Sequence, residues 1–375
     1  MTAGWRFACW RVFRGRAWWV LPFCLLVMLL WGNFQRVRET TTMSNMPEFS
    51  AMYSLRYRYG EVLNTWRQQP KPRPVLTNPS VKQMESAVDA TDALNRMVRL
   101  DEYDNRAALV RAELTMDRYF LRQAAAGHGH ADMDVLTLKK RVTELVANQK
   151  AHRTQYYSRE RRLPGALSLA RSLATDTPSS WFAVLFCFWA GLFILADKRG
   201  GARALLDLAP VAKGGIYWRR AALVGGYGSV AIVLAVAAAL GGSILLAGTV
   251  GWQYPLVYSP DGSHAALMSA GAFIVQATCW LVAAFLLTVG LATVIQLLTR
   301  QLMVSLLALV ALVLVGSASG LGWLPMSYLD LPRVILPASG YALPLRLPAA
   351  AALMAGCGVL LVALGGCWAN RRQRL

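Results

Sequence analysis

Few side chains in this sequence are grouped as catalysis or metal binding would need. His128 and His130 flank Gly129 and are followed by Asp132 and Asp134, and imidazoles so spaced can ligate zinc, nickel or copper. No thiol accompanies them, and two histidines around a glycine read more simply as a solvated turn. Lys213 precedes Gly214 and Gly215, whereas a phosphate-binding loop needs its glycines ahead of a Lys-Ser or Lys-Thr pair. The apolar stretches after position 196 hold no paired aspartates, no Glu-Glu-x-x-x-Arg run and no His-Glu-x-x-His, as an intramembrane hydrolase would require. Asp261 and Asp330 fall in connections and His264 at the edge of a stretch. The same poverty of ionisable groups weighs against an ion- or proton-coupled transporter. Cys9, Cys24, Cys187, Cys279, Cys357 and Cys367 all lie in or beside apolar stretches, without zinc-site spacing, and none falls between Arg36 and Pro178. The polar region between those positions therefore contains no disulfide and must be held by ordinary packing.

What the apolar stretches do contain is small and mildly polar. Ser269, Gln276, Thr278, Thr288, Gln296 and Ser305 are pathway or packing candidates, together with Gly241, Gly242, Ser243, Thr293, Ser317 and Ser319. Small residues let helices approach closely in lipid, so packing is the first reading. A pathway built from them would suit an amphipathic or lipid-like cargo better than an ion.

These residues must be carried by helices that cross a membrane. A span needs about 18 or more apolar residues. The chain offers an apolar run at 17–33, a charged stretch, and then runs near 181–196, 221–249, 267–298, 302–324 and 349–368. The expected fold is an all-α integral membrane protein with six transmembrane helices and a large, mainly helical extracytoplasmic domain between the first and second. The run at 267–298 is longer than one straight span requires, which predicts tilt, an interfacial start or a break near Gly290. The first run follows Arg6, Arg11, Arg14 and Arg16 and lacks a small-x-small cleavage pattern, so it reads as an uncleaved anchor.

Basic residues resist translocation, and they fix the direction. The N-terminal segment carries the arginines just named, and the connection after the second run carries Lys198, Arg199, Arg203, Lys213, Arg219 and Arg220. The connection from Gly251 to His264 has neither lysine nor arginine, the tight one at 299–301 has Arg300, the next has only Arg333 and Arg346, and the tail carries Arg371, Arg372 and Arg374. Alternation then predicts an N-terminal segment inside at 1–16, spans at 17–33 and 180–197, an outside domain at 34–179, an inside loop at 198–220, four spans within 221–369 and a basic inside tail at 370–375. The net charge of +19 is read as membrane orientation rather than nucleic-acid binding.

In the outside region, Pro70, Pro72, Pro74 and Pro79 break a short helical piece into an extended linker. Val81, Met84, Val88, Met97, Leu100, Ala107, Val110 and Leu114 then recur as one helical face, and Val135, Leu138, Val142, Leu145 and Val146 restart it after the 127–130 turn. The spacing predicts a helical hairpin. Arg159, Arg161 and Arg162 read as its charged end returning to the bilayer.

The inside segment 197–220 carries the most specific pattern. It has a charged, glycine-containing start, an amphipathic piece at 202–208, Pro210 as a stop, and then aromatic and basic residues leading into the next span. With Asp197, Gly200, Leu205, Leu206, Pro210, Lys213 and Arg219 in their places, it resembles the first cytoplasmic loop of permease subunits of the type 2 ABC exporter family. Ala202 or Gly201 stands where that family commonly has threonine, and Ala209 where leucine precedes the proline. The plan of one span, a large outer region and five spans is similar to many bacterial members, and Pro325 to Asp330 resembles a recurring outer segment.

The resemblance implies a multi-pass permease of the bacterial cytoplasmic membrane, not itself an enzyme, paired with an identical or paralogous permease. Separate ABC ATPase subunits would bind ATP and Mg, with no cofactor on this chain. Asp197, Gly200, Ala202, Leu205, Leu206, Pro210, Lys213, Trp218 and Arg219 would couple to the ATPase, and the segment from Trp5 to Arg16 would lie along the inner membrane surface. A membrane sensor with an extracytoplasmic ligand- or peptide-binding domain shares the same topology, and a membrane-bound enzyme with a site at the outer surface is a further alternative.

Overall fold

In this computed structural model the described residues are 16–38, 47–71, 135–151, 164–195, 213–261, 263–299, 301–335 and 345–374, with residue 343 and scattered positions between 81 and 125. The protein is mostly helical. In chain order come α1 (Val20–Arg38, after a 3-10 turn at Arg16–Trp19), α2 (Pro47–Gln68), α3 (Val135–Lys150), α4 (Gly165–Arg171, running into a π turn at Ser172–Asp176) and α5 (Ser179–Ile194). Then follow α6 (Lys213–Ala247), β1 (Pro255–Tyr258), β2 (Ala266–Ser269), α7 (Ala270–Leu298), α8 (Leu302–Ala318), a 3-10 turn at Pro325–Leu329, α9 (Leu331–Ile335) and α10 (Leu347–Arg374).

Local chemistry sets these ends. Pro47, Pro164, Pro178 and Pro348 stand at or beside helix starts, where the missing N–H is not needed. Gly248 takes φ 72° just past α6 and returns its N–H to Ile244 O at 2.9 Å, a left-handed stop that other residues resist. Ser269 caps α7, its Oγ accepting from Ala272 N at 3.2 Å.

Gly215–Ala247, Ala270–Leu298 and Leu347–Arg371 are long and apolar enough to cross a membrane. Gly165–Ala174 and Ser179–Ile194 form a pair bent by 81° that counts as a fourth span or a re-entrant loop, and Val20–Trp31 and Leu302–Ala318 are shorter apolar helices. All six apolar runs of the sequence are thus helical, with three of them clearly of spanning length. In the most apolar stretch of α7, 78% of residues are buried, against 33% in α6 and in α10, which makes α7 the central helix. It packs on α10, α6, α5 and α8, while α1 lies against α6.

The closest approach is between α7 and α10. A Cβ on Gly290 would stand 2.5 Å from Gly358 O, and one on Gly358 2.5 Å from Leu286 O, so the two backbones touch where only glycine fits. Of the three alternatives for the 267–298 run, a break near Gly290 is excluded: α7 is continuous there, and the glycine serves a helix crossing. The excess length of the 267–298 run has another cause, since its first residues belong to β2. β1 and β2 pair antiparallel, Pro255 opposite Ser269 and Tyr258 opposite Ala266, in a hairpin that the all-α expectation lacked.

A second difference concerns the polar region, expected to extend to residue 179. The chain instead reaches the apolar core at Gly165. Residues 165–170 are all buried against α1, α6 and α7, with Gly165 N bonded to Thr249 O and Ala166 N to Val250 O, both at 2.9 Å. A Cβ on Gly165 would meet Ile244 N at 2.6 Å, so this crossing also excludes a side chain.

Of the outer helical face, Met84, Leu114, Leu138 and Leu145 are buried, and Leu136 is buried in place of an exposed Val135. Arg141 Nε meets Asp117 Oδ2 at 3.0 Å, with both side chains largely buried. Those two positions are equidistant from residue 129, as a hairpin turning at 127–130 requires. The turn itself, with His128, His130, Asp132 and Asp134, lies outside the described residues. α3 rests on the β-hairpin, Lys139 Nζ donating to Ser263 O at 3.2 Å, and Arg171 Nη2 joins Glu144 Oε1 at 2.6 Å to tie α3 to α4.

Candidate functional site

Residues 196–212, which include Asp197, Gly200, Ala202, Leu205, Leu206 and Pro210, lie outside the described residues, but the helices on either side of them are described. α5 ends at Ile194 and α6 starts at Lys213. Arg220 Nη1 donates to Ile194 O at 3.4 Å, and the arginine is only 6% exposed. A buried guanidinium needs an acceptor, and the last carbonyls of α5 are both unsatisfied within their helix and at its negative end. The helical period explains why Arg220 turns inward. It shares a face with Val224 and Gly228, which are buried, whereas Arg219 shares one with the exposed Ala222 and Gly226. Arg219 is half-buried, Trp218 is exposed, and Lys213 opens the helix. The two ends of the loop are therefore joined at a stem.

Above this stem is an aromatic cluster. Trp189 of α5 stacks with Tyr227 of α6 at 5.7 Å between ring centroids and tilts against Phe285 of α7 at 5.5 Å. Phe186 meets Phe285 edge-on at 5.4 Å, and Phe193 meets Trp189 at 4.7 Å. Trp18 approaches Tyr227 edge-on, and the Tyr227 hydroxyl donates to Trp18 O at 3.0 Å. Rings of this size in contact move together or not at all, so a displacement at the stem reaches α1 and the central α7. Arg220, Trp189 and Tyr227 were absent from the sequence candidates. The inward helical face through Arg220, Val224 and Gly228, and the aromatic spacing at 186, 189 and 193, were the available signals.

The pathway or packing candidates do not converge. Thr278 and Thr288 donate to carbonyls one turn back, at Ile274 and Ala284, as Thr293 does to Val289. Ser305 donates to Gln301 O and touches the Thr299 hydroxyl at the turn between α7 and α8, and Ser269 is the α7 cap. Gln276 is half-buried, and Gln296 is buried with its Oε1 unpartnered among the described residues. The hydroxyls of these candidates are thus spent within single helices and turns.

At the opposite end of the bundle, Asp261, Ser263 and His264 have the residue types of a hydrolase relay. Their geometry is that of a turn. Asp261 Oδ1 accepts from Ser263 N at 2.9 Å and His264 N at 2.8 Å, while Asp261 Oδ2 and Ser263 Oγ both approach the same imidazole nitrogen, Nδ1. A relay needs the two ring nitrogens to serve different partners. The backbone donor of Ser263, then the His264 side chain and backbone, hold the Asp261 carboxyl well below its ordinary range. Asp330 accepts from Ser179 Oγ at 2.8 Å, setting a carboxylate at the start of α5, where the helix dipole favours it.

The exposed tryptophans gather at the two ends of the bundle. Trp19, Trp218 and Trp368 lie toward the stem, and Trp31, Trp181, Trp252 and Trp323 toward the hairpin. Tryptophan favours membrane borders, where one edge of the ring is apolar and the other wet. No family model, no curated protein and no solved structure matches this chain in comparisons with each.

Proposed function

We propose that this chain is the membrane-spanning permease subunit of a type 2 ABC exporter, moving an amphipathic, lipid-like or peptide cargo with ATP hydrolysed by a separate subunit. In this reading six helices cross the bacterial cytoplasmic membrane, both termini lie inside, and the helical body before α4 lies outside. Two tryptophan-marked ends and the alternation of basic connections support the topology. The observation that carries the coupling role is the stem: Arg220 clamps the end of α5 to the start of α6, directly beneath an aromatic cluster reaching α7. A push on 196–212 would enter the bundle there. Such a device suits a chain whose energy source sits on a partner.

Gentle purification from native membranes tests this. The expected product is a complex with a stoichiometric ATP-hydrolysing subunit and two permeases, identical or paralogous. Recovery of the chain without any such subunit, across mild detergents and nanodiscs, would remove the exporter assignment. One observation favours a sensor as the second reading: the Glu144–Arg171 and Lys139–Ser263 links join the polar body to the bundle, as transmission of a ligand signal would need.

A further inference from the structure

On the membrane-facing side of the bundle, a groove of about 100 Å³ opens between α6, α7 and α10. Trp218, Ala222, Gly226, Leu286, Val359 and Val362 line it, and the lining is mostly apolar. Its depth comes from missing side chains. A Cβ on Gly226 would meet nothing within 4 Å, so the space there is open rather than filled by a neighbour.

The charge around its stem-side mouth is one-sided. Arg219 lies three and seven positions before Ala222 and Gly226, on the same helical face. α10 runs antiparallel to α6, and Arg371 lies as far along α10 from Val359 as Lys213 lies along α6 from Gly225, so these two basic residues lie further out than Arg219, which is nearest the groove. No Asp or Glu occurs in 213–230, 286–305 or 355–374. Arg219 and Arg371 form no ion pair with a described residue, so the charge at this mouth is unanswered among the described residues. Trp218, beside Arg219 and 47% exposed, is of the type that marks the headgroup level.

We propose that this groove holds one acyl chain of an anionic phospholipid of the inner leaflet, its phosphate facing Arg219. The apolar slot takes the chain, and the headgroup phosphate answers the Arg219 charge that no described carboxylate balances. The proposal rests on the membrane-spanning reading and is independent of ATPase coupling. A tightly held lipid here would fill the α6–α10 seam just above the stem, where motion of Trp218 would be felt.

The test is native mass spectrometry of the full chain, released from nanodiscs containing equal phosphatidylglycerol and phosphatidylcholine. The expected result is one retained phosphatidylglycerol per chain. Gly226→Leu puts a side chain into the slot from a position where its Cβ has open space, and lipid occupancy is expected to fall several-fold. Arg219→Gln is expected to keep a lipid but to lose roughly fivefold of the preference for the anionic one, the size set by about 1 kcal/mol per basic residue at a membrane surface. Equal lipid retention in the Gly226→Leu protein, or no headgroup preference in the unaltered chain, would overturn the proposal. So would dimers that Gly226→Leu splits with no change in bound lipid, since the occupant would then be a second copy. Far-ultraviolet circular dichroism and size exclusion confirm that both variants fold, which separates loss of the site from loss of the membrane protein.

Discussion

Arg219 and Arg220 are neighbours of identical chemistry with opposite surroundings, and the difference is one residue's rotation about the helix. Arg220 is buried on the α5 carbonyl end, so Arg220→Met removes a charge-assisted hydrogen bond worth about 1.5–3 kcal/mol, nearer the lower figure at 3.4 Å. Arg219→Met removes none and is expected to stay within about 0.5 kcal/mol. Thermal unfolding in detergent distinguishes the two, and equal shifts would show that the stem is not clamped. At the opposite end, Asp261 is ionised in a turn that its carboxylate organises. Its folded value lies below the ordinary one near 3.8, so the turn's stability is complete above that pH and is lost as pH falls below it. The amide shifts of Ser263 and His264, followed by NMR against pH, are expected to titrate with a midpoint below 3.8. A midpoint at or above that value contradicts the hydrogen bonding described. At this scale the sequence was readable where polarity alone decides, as in the small polar residues of α7. It was opaque where a neighbour's direction decides, because adjacency in sequence does not say which of two arginines points inward.

Helices of spanning length were legible because lipid leaves the chain little choice: a long apolar run must satisfy its backbone internally, and a helix does so. α4 and the β-hairpin were not legible for the converse reason. The apolar run at 166–170 is stopped by Arg171 before it reaches a span's length, and it is held by backbone bonds to Thr249 and Val250 that no local pattern announces. The strands are four residues each and merge with apolar sequence on either side. The crossing of α7 and α10 is the element-scale feature most open to test. Gly290→Ala and Gly358→Ala each drive a methyl into backbone and are expected to cost about 1–3 kcal/mol or more, while Gly356→Ala, which meets nothing within 4 Å, is expected to be neutral or slightly stabilising. Thermal denaturation of the three variants measures this, and equal effects would remove the close crossing. In the polar body, Asp117→Ala removes the buried carboxylate of the Arg141 pair and is expected to cost about 3–5 kcal/mol. Removing Glu85 from its exposed pair with Arg67 is expected to cost at most about 1 kcal/mol. Urea unfolding followed at the polar body compares them, and similar costs would mean that the hairpin does not rest on the buried pair.

For the molecule as a whole, the described residues form a central apolar helix, a tryptophan-marked end bearing a basic stem, and an opposite end carrying a polar helical body, an arrangement that suits the proposed permease. The sequence holds no phosphate loop, the described residues form no relay of proton-transferring groups, and the proposed coupling loop rests on resemblance, since a loop shaped to fit a partner has no reason to declare itself through its own packing. The central claim is that work enters through 196–212. It is tested most directly by ATP hydrolysis of the complex in lipid vesicles, comparing the unaltered chain with Leu205→Asp and Leu206→Asp at equal membrane insertion. The account predicts that cargo-linked hydrolysis is lost in both variants while the permease remains inserted and folded; unchanged coupled hydrolysis would contradict it.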